Sequence, residues 1–410
     1  MNIVQPNIHD PSVKEIDTRV LLRNAAREAN KRRLHDFMIV DCDAHHFETD
    51  VFNEIFEFMD DPVLRRLAQY TKGSFTMRTT GNYSEMSGRV PRLSTRKREK
   101  VPPGDHREII VARRWMDAIG IDVACLFPTP MLGLGTHPQV ATEVGLARAY
   151  NRWLVEKILA EESRLKSMLY LPMNDPDASL KMIEEFGDKK GVIGFMVTSV
   201  RYKPLYDNAY MKVYAALEER GLPLSFHSAT NWSDQGMQLT NQFIAAHALG
   251  FPWFNMLHLT NWLVNGLPER FPKLKVIWIE SGLAWVPFLM QRLDHEYMMR
   301  SSECPSLKRL PSEYMREMYY SSQPMERVRN SKALEVTFEM INAKDQLLYS
   351  SDYPHWDMDL PSTIYDLPFL DEQAKRNILG ENARKLFKLE AYVSGAKLAQ
   401  RAGAKADATS

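Results

Sequence analysis

The end of the first apolar run carries an aspartate and a histidine with the types and spacing of a metal site. The segment 39–48 passes from apolar residues into Asp41, Asp43 and His45. If residues 38–44 form a strand, alternate side chains share one face, so Asp43 and His45 point the same way. Two such donors at one strand end can bind a single metal ion. The rest of the chain must then supply the other ligands.

Three later strand-like runs each end in a residue that commonly binds metals. His227 follows the run Leu222–Phe226, Glu280 follows Val276–Ile279, and Asp352 follows Leu347–Ser351. Two carboxylates and two imidazoles are typical of a mononuclear Zn, Mn or Fe site with open positions for water or substrate. Here they would come from Asp43, His45, His227 and Asp352. Glu280 is a fifth group, which either ligates a second metal or acts as an acid or base.

Each of these residues also has a purely structural interpretation. Asp352 and Glu280 are residue types that cap helices, and a single histidine at a strand end is most often structural. The pattern as a whole favours the metal site, because every group follows a different strand at the same end.

The elements that must position these groups alternate between strands and helices. Strands are predicted at 38–44, 120–128, 166–171, 191–197, 222–226, 274–279 and 346–350, and helices at 109–119, 138–162, 178–186, 208–220 and 254–270. This alternation indicates parallel strands joined by crossover helices. Seven or eight such units favour a closed (β/α)8 barrel over an open sheet. The carboxyl ends of barrel strands meet at one mouth, where we expect the metal site.

The segments outside these repeats define the predicted domain organisation. Residues 1–36 form an N-terminal extension with a helix-prone piece, and residues 37–390 form the barrel. Residues 73–108 are an inserted loop or lid, polar and basic. A nucleic-acid or nuclear-targeting patch is the alternative there, but interspersed acidic residues favour a solvated loop. Residues 391–410 are predicted to be a flexible C-terminal tail.

Composition excludes several classes of partner. The 410 residues hold 52 basic and 52 acidic side chains, so no net field attracts nucleic acid or an anionic membrane. No segment has the length of an apolar membrane span or the pattern of a signal peptide. The three cysteines lack disulfide or zinc-finger spacing, which indicates reduced thiols and a cytoplasmic location.

Four blocks of sequence resemble the amidohydrolase superfamily, in its amidohydrolase-2 branch related to aminocarboxymuconate-semialdehyde decarboxylase. The blocks are Val40–Glu48, Glu269–Val276 with Glu280–Pro287, Tyr349–Asp357 and Gly380–Phe387. The resemblance implies a distorted barrel with a divalent metal at its mouth. By position it assigns Asp43 and His45 to the strand-one pair, His227 to the strand-five ligand and Asp352 to the strand-eight aspartate.

Two departures from this family bear on the chemistry. Asp43 stands where the family usually has a histidine, and this change hardens the site toward Mn, Fe or Zn. Glu280 stands where decarboxylase relatives have a catalytic histidine after strand six. No lysine ends the strand predicted at 191–197, so a carbamylated-lysine bridge is not expected.

These residues predict a metal-dependent enzyme that hydrolyses or non-oxidatively decarboxylates a small carboxylate or acyl compound, with one or two divalent ions. The predicted catalytic residues are Asp352, as the base for a metal-bound water, together with Glu280 and His227. One alternative is a dinuclear Fe or Mn/Fe oxygenase on the same scaffold. Another is a non-catalytic subunit of such a complex. The expected partners are a small-molecule substrate and other chains in a homo- or hetero-oligomer.

Overall fold

The structure is a computed structural model. It describes residues 18–71, 101, 103–198, 204–229, 236–326, 330–355, 357–393, 395 and 397–399. Most of the predicted lid, the first half of the predicted N-terminal extension and the end of the predicted tail lie outside these residues. The predicted division into domains therefore remains a prediction.

Eight parallel strands form one sheet in sequence order, which confirms the predicted distorted (β/α)8 barrel. The strands are β1 Val40–His45, β2 Val123–Phe127, β3 Leu165–Tyr170, β4 Val192–Thr198, β5 Leu224–His227, β6 Val276–Ile279, β7 Tyr319–Ser321 and β8 Leu347–Leu348. Every predicted strand overlaps an observed one. The sequence-based assignment missed β7, because three residues are too short to show a periodic pattern.

The seam between β1 and β8 is closed by hydrogen bonds between residues near the ends of the two strands. The backbone N–H of Cys42 donates to the carbonyl of Tyr349 at 2.9 Å, and that of Asp352 donates to the carbonyl of Asp43 at 2.8 Å. The N–H of His45 donates to Tyr353 at 2.7 Å. The seam therefore runs directly beside two of the predicted metal ligands.

Helices surround the strands in the described part of the chain. They are Thr18–Lys31, Phe52–Glu57, Pro62–Thr71, Arg107–Ile119, Val140–Trp153, Pro176–Phe186, Met211–Arg220, Phe243–Val264, Leu267–Arg270, Trp285–Arg300, Pro311–Met315, Ser331–Met340, Ala343–Gln346, Ser362–Tyr365, Glu372–Arg376 and Asn382–Leu386. Their ends follow local chemistry. Asp175 caps Pro176–Phe186 by accepting two backbone N–H groups, and Gly120 closes Arg107–Ile119 at a φ of 89°.

Two predicted helices differ from the observed ones. The helix expected at 138–162 is α-helical over Val140–Trp153 and continues as a π-helix over Leu154–Leu159. The helix expected at 254–270 begins earlier and is divided, giving Phe243–Val264 and Leu267–Arg270. Gly266 lies between the two at a φ of 70°, a left-handed conformation that ends a helix. Pro252 lies inside the longer helix and obscured its first turns in the sequence.

The N-terminal helix Thr18–Lys31 packs on the body of the barrel. Leu22, Ala25 and Ala29 are buried on its inner face, in the same apolar core as the barrel strands. Arg32 follows this helix and donates two hydrogen bonds to the carboxylate of Asp366, at 2.7 and 2.5 Å. No described helix is both long enough and apolar enough to cross a membrane.

Candidate metal centre

The five predicted site residues converge at the carboxyl ends of four strands. Asp43 and His45 end β1, His227 ends β5, Glu280 follows β6, and Asp352 follows β8. All five are buried, with exposed fractions of 4% or less. The parallel barrel brings them together because it turns every one of these strand ends to the same side.

Asp43, His45 and His227 have the spacing of ligands around one ion. Asp43 Oδ1 lies 3.3 Å from the Nε2 atoms of both His45 and His227. Neighbouring donors around a tetrahedral ion with bonds of about 2.1 Å are separated by about 3.4 Å. These three side chains and Glu280 each offer a donor atom within 4.8 Å of the others. The arrangement therefore fits one small divalent cation.

The two histidines are oriented so that Nε2 of each ring faces Oδ1 of Asp43. Nδ1 of His45 lies 2.8 Å from the carbonyl of Pro128, and Nδ1 of His227 lies 2.9 Å from the carbonyl of Ser228. Each carbonyl accepts a hydrogen bond from the N–H group at Nδ1. This fixes the tautomer with the electron pair on Nε2, as in most metal-binding histidines. Nε2 of His45 and Oδ2 of Asp43 are buried and have no hydrogen-bond partner among the described residues. Buried polar atoms need a partner, and a cation supplies one.

Glu280 and Asp352 reach the site from strained backbone positions. Their φ angles are 54° and 55°, in the left-handed region that side chains other than glycine rarely adopt. Such strain costs about 1–3 kcal/mol per residue and concentrates at functional sites. Oε2 of Glu280 lies 3.6 Å from Nδ1 of His227, and Oδ1 of Asp352 lies 3.4 Å from Nε2 of His45.

His355 joins the site although the sequence analysis did not assign it a role. Its Nδ1 lies 2.6 Å from Oδ1 of Asp352 and 3.7 Å from Oε1 of Glu280, and its ring stacks on His45 at 4.2 Å. With His45 and Asp352 it forms a second group of donor atoms within 4.8 Å of one another. The sequence places His355 only three residues after Asp352, but the turn between them decides whether its ring reaches the site.

Thr129 and Glu48 connect this histidine to the loop after β2. Oγ1 of Thr129 lies 3.3 Å from Nε2 of His355. The carboxylate of Glu48 accepts the backbone N–H groups of Thr129, at 2.9 Å, and Met131, at 2.5 Å. Glu48 therefore holds the loop that contacts the metal centre.

The charged groups influence one another strongly. Burial opposes ionisation of Asp43, but His227 and His45 outweigh it and lower the pKa of the carboxyl below its ordinary value. Burial lowers the pKa of His45. The lowered pKa of Asp43 favours the carboxylate, and the lowered pKa of His45 favours the neutral imidazole, which are the forms that bind metals. Burial also raises the pKa of the neighbouring Asp41 to about 7, although hydrogen bonds from Ser351 oppose this rise.

Two further histidines in the helix Phe243–Val264 lie away from the ligand groups. His258 is buried and packs against Phe226 with ring centroids 5.8 Å apart. His247 is partly exposed, with Nε2 3.7 Å from the carboxylate of Asp357. Neither belongs to a described group of potential metal ligands.

Comparison with known protein families identifies the chain. A model of the family described as amidohydrolase matches residues 40–389, most of the sequence. The chain belongs to this amidohydrolase family. The predicted family resemblance is thereby confirmed, and the match covers the whole barrel and all five predicted site residues.

Two curated proteins are similar in sequence to this amidohydrolase over about two thirds of its length. A gamma-resorcylate decarboxylase from Polaromonas sp. strain JS666 is 24% identical over 287 residues, which are 67% of this chain and 86% of the relative. The 2-amino-3-carboxymuconate-6-semialdehyde decarboxylase of Dictyostelium discoideum is 24% identical over 275 residues, 66% of this chain and 74% of the relative.

Solved structures share the fold of this amidohydrolase. The 5-carboxyvanillate decarboxylase of Sphingomonas paucimobilis superposes with a TM-score of 0.60 at 21% identity, covering 87% of this chain and 100% of that structure. A dihydroxybenzoic acid decarboxylase from Polaromonas sp. JS666 was solved with manganese and the inhibitor 2-nitroresorcinol. It superposes with a TM-score of 0.60 at 18% identity, covering 86% of this chain and 97% of that structure.

The prediction of a metal-dependent enzyme of this family is confirmed. The divalent-metal prediction agrees with the donor cluster and with the manganese in the dihydroxybenzoic acid decarboxylase. All four of these relatives are named as decarboxylases and none as an oxygenase, so they do not support the oxygenase alternative.

Proposed function

We propose that this amidohydrolase is a non-oxidative decarboxylase of a small aromatic carboxylate. The observation that carries the proposal is the buried cluster of Asp43, His45 and His227, which has the donor types and spacing for one divalent ion. Curated relatives named as decarboxylases, aligned over most of their length, support this choice within the family.

We assign the predicted ligands to distinct tasks. Asp43, His45 and His227 would hold the ion, with Glu280 as a further ligand or a second base. A divalent ion held by these residues would supply Lewis-acid chemistry, polarising the oxygens of a bound substrate. Asp43 gives the ligand set one more negative charge than a histidine would, which favours a hard cation such as Mn²⁺.

Asp352 is the group that we assign to proton transfer. Its Oδ1 lies 2.6 Å from Nδ1 of His355, so a proton can be held between these two side chains. In decarboxylation the bond between the ring carbon and the carboxylate breaks and leaves its electron pair on the ring. The proton from Asp352 then bonds to that carbon, and CO2 is released.

The test is a panel of hydroxylated aromatic carboxylates, incubated with the Mn²⁺-loaded protein under nitrogen. The proposal predicts one CO2 per substrate consumed and, in D2O, one deuterium at the carbon that lost the carboxylate. Cleavage of esters or amides without CO2 would assign hydrolysis instead. A requirement for O2 would contradict both. Asp352→Asn is expected to lower kcat by at least about 100-fold.

We also propose that the chain forms an oligomer and acts in the cytoplasm. The helix Phe243–Val264 contains no Asp, Glu, Lys or Arg, yet Leu249, Trp253 and Leu257 are 46–55% exposed along it. An uncharged apolar face can pair with the same face of a second copy about a twofold axis. Light scattering should give the mass of at least a dimer, and Trp253→Glu should reduce that mass to that of one chain.

The proposed cytoplasmic location rests on the cysteines. All three are unpaired, which suits a reducing compartment.

A further inference from the structure

A buried carboxylate that takes no part in the proposed chemistry lies just below the metal centre. Asp41 is fully buried on β1, two residues before Asp43. It does not belong to either group of potential metal ligands among the described residues. A buried charged or polar group costs free energy unless its hydrogen bonds are made, so the partners of Asp41 indicate what it does.

The hydrogen bonds of Asp41 cross the barrel seam. Oδ1 accepts the backbone N–H of Ser351 at 2.9 Å and that of Asp43 at 3.2 Å. Oδ2 accepts the hydroxyl of Ser351 at 2.5 Å. One carboxylate therefore binds a predicted ligand on β1 and the residue immediately before Asp352, the group that follows β8.

The seam is the place where the barrel most needs such a contact. The described residues of β1 and β8 form no strand ladder with each other, whereas the other neighbours in the sheet do. The backbone contact between Asp352 and Asp43, at 2.8 Å, is one of the few bonds across it. Since Asp352 also adopts a left-handed backbone, its position depends on contacts that hold Ser351.

We propose that Asp41 is a positioning residue that fixes Asp43 and Asp352 relative to each other across the seam, and so sets the affinity of the metal centre. The inference rests on the proposed function only in that it needs Asp43 to be a metal ligand. It assigns Asp41 no contact with metal or substrate.

Three variants grade the loss of these hydrogen bonds. Asp41→Ala removes all three acceptor contacts and is expected to weaken Mn²⁺ binding by about 10–100-fold, as for other groups that orient ligands. Asp41→Asn keeps an oxygen for the two backbone N–H groups and should rescue most of the affinity. Ser351→Ala keeps both backbone contacts of Asp41 but removes the hydroxyl that donates to it, which also accepts the backbone N–H of Tyr353 at 3.0 Å. Its Mn²⁺ affinity should fall between those of the two Asp41 variants. If Asp41→Ala does not fold, the other two variants still test the inference, because Ser351→Ala is expected to bind Mn²⁺ more weakly than Asp41→Asn.

The matched control is Asp122→Asn. Asp122 is also a buried aspartate beside β1, but it lies at the opposite end, where it accepts the backbone N–H of Ile39 at 2.8 Å and the ammonium of Lys397 at 2.5 Å. Its loss should lower the melting temperature and leave the Mn²⁺ dissociation constant of the folded protein unchanged.

The measurement is the Mn²⁺ dissociation constant of each folded protein, obtained by electron paramagnetic resonance of free Mn²⁺. Wild-type affinity in Asp41→Ala, or in Ser351→Ala if Asp41→Ala does not fold, would overturn the inference and leave the proposed function standing. Weakened binding in these variants, with no CO2 from any substrate of the wild type, would instead overturn the decarboxylase proposal alone. Equal weakening in Asp122→Asn would show a general stability effect and also overturn the inference.

Discussion

Replacing His227 by alanine should remove most of the stabilisation that the protein gains from a divalent ion. His227 is fully buried, its Nε2 lies 3.3 Å from Asp43 Oδ1, and its Nδ1 is fixed by the carbonyl of Ser228. Truncation removes one ligand outright and leaves the donors of β1 without their neighbour from β5. We therefore expect the affinity for Mn²⁺ to fall by at least about 100-fold.

The magnitude follows from the linkage between binding and stability. At a Mn²⁺ concentration about 100 times the wild-type dissociation constant, binding stabilises the folded wild type by about 2.7 kcal/mol. At the same concentration a variant bound about 100-fold more weakly gains about 0.4 kcal/mol. At roughly 2 °C per kcal/mol, the melting temperature should rise by about 5 °C in the wild type and by less than about 1 °C in His227→Ala.

The assay is thermal unfolding of each protein with and without Mn²⁺, so that each variant is compared with its own metal-free form. This comparison cancels the cost of the cavity that the missing ring leaves. His258→Ala is the matched control, because that histidine is also buried but packs on Phe226 outside the ligand groups. It should melt at a lower temperature and keep the full metal-dependent rise. A full rise in His227→Ala would refute the assignment of His227 as a ligand. If the complex that contains the His227→Ala chain keeps its activity, the result would favour the alternative that this chain is a non-catalytic subunit.

Three further predictions concern residues that belong to neither described group of potential metal ligands. Lys397→Met should destabilise the protein by about 3 kcal/mol in urea unfolding, because it leaves the buried carboxylate of Asp122 without its ammonium partner; an unchanged midpoint would contradict this. The hydrogen bond from Arg32 lowers the pKa of Asp366, so this pair stabilises the fold above the ordinary carboxyl pKa and loses its effect as the pH falls through the lowered value. Asp366→Asn should accordingly flatten the acid limb of the melting curve against pH, and an unaltered limb would count against the pair. Burial raises the pKa of Cys42, so that thiol should react with a disulfide reagent only after unfolding, as mass spectrometry of the labelled peptide will report.

The barrel was predictable because its signals are local. Apolar runs that begin after a glycine became strands at β2, after Gly120, and at β4, after Gly191. The two elements that the sequence-based assignment missed or misplaced also have local causes. The three residues of β7 are too few for a pattern, and Pro252 hid the start of the helix Phe243–Val264.

The metal ligands were predictable because the fold converts position along a strand into position in space. Asp43, His227 and Asp352 are far apart in sequence, and the parallel barrel turns their strand ends to one side. The role of His355 was not predictable in this way, since it follows the strand end by several residues and its approach depends on the turn after Asp352. The contacts of Asp41 across the seam depend on barrel closure, which no local pattern encodes.

The most direct test of the metal centre is a crystal of the Mn²⁺-loaded protein, measured on both sides of the manganese absorption edge. We predict an anomalous peak at the barrel mouth, within about 2.0–2.3 Å of a carboxylate oxygen of Asp43 and of the Nε2 atoms of His45 and His227. A manganese peak bound elsewhere, or none at a saturating Mn²⁺ concentration, would contradict the assignment of these three ligands.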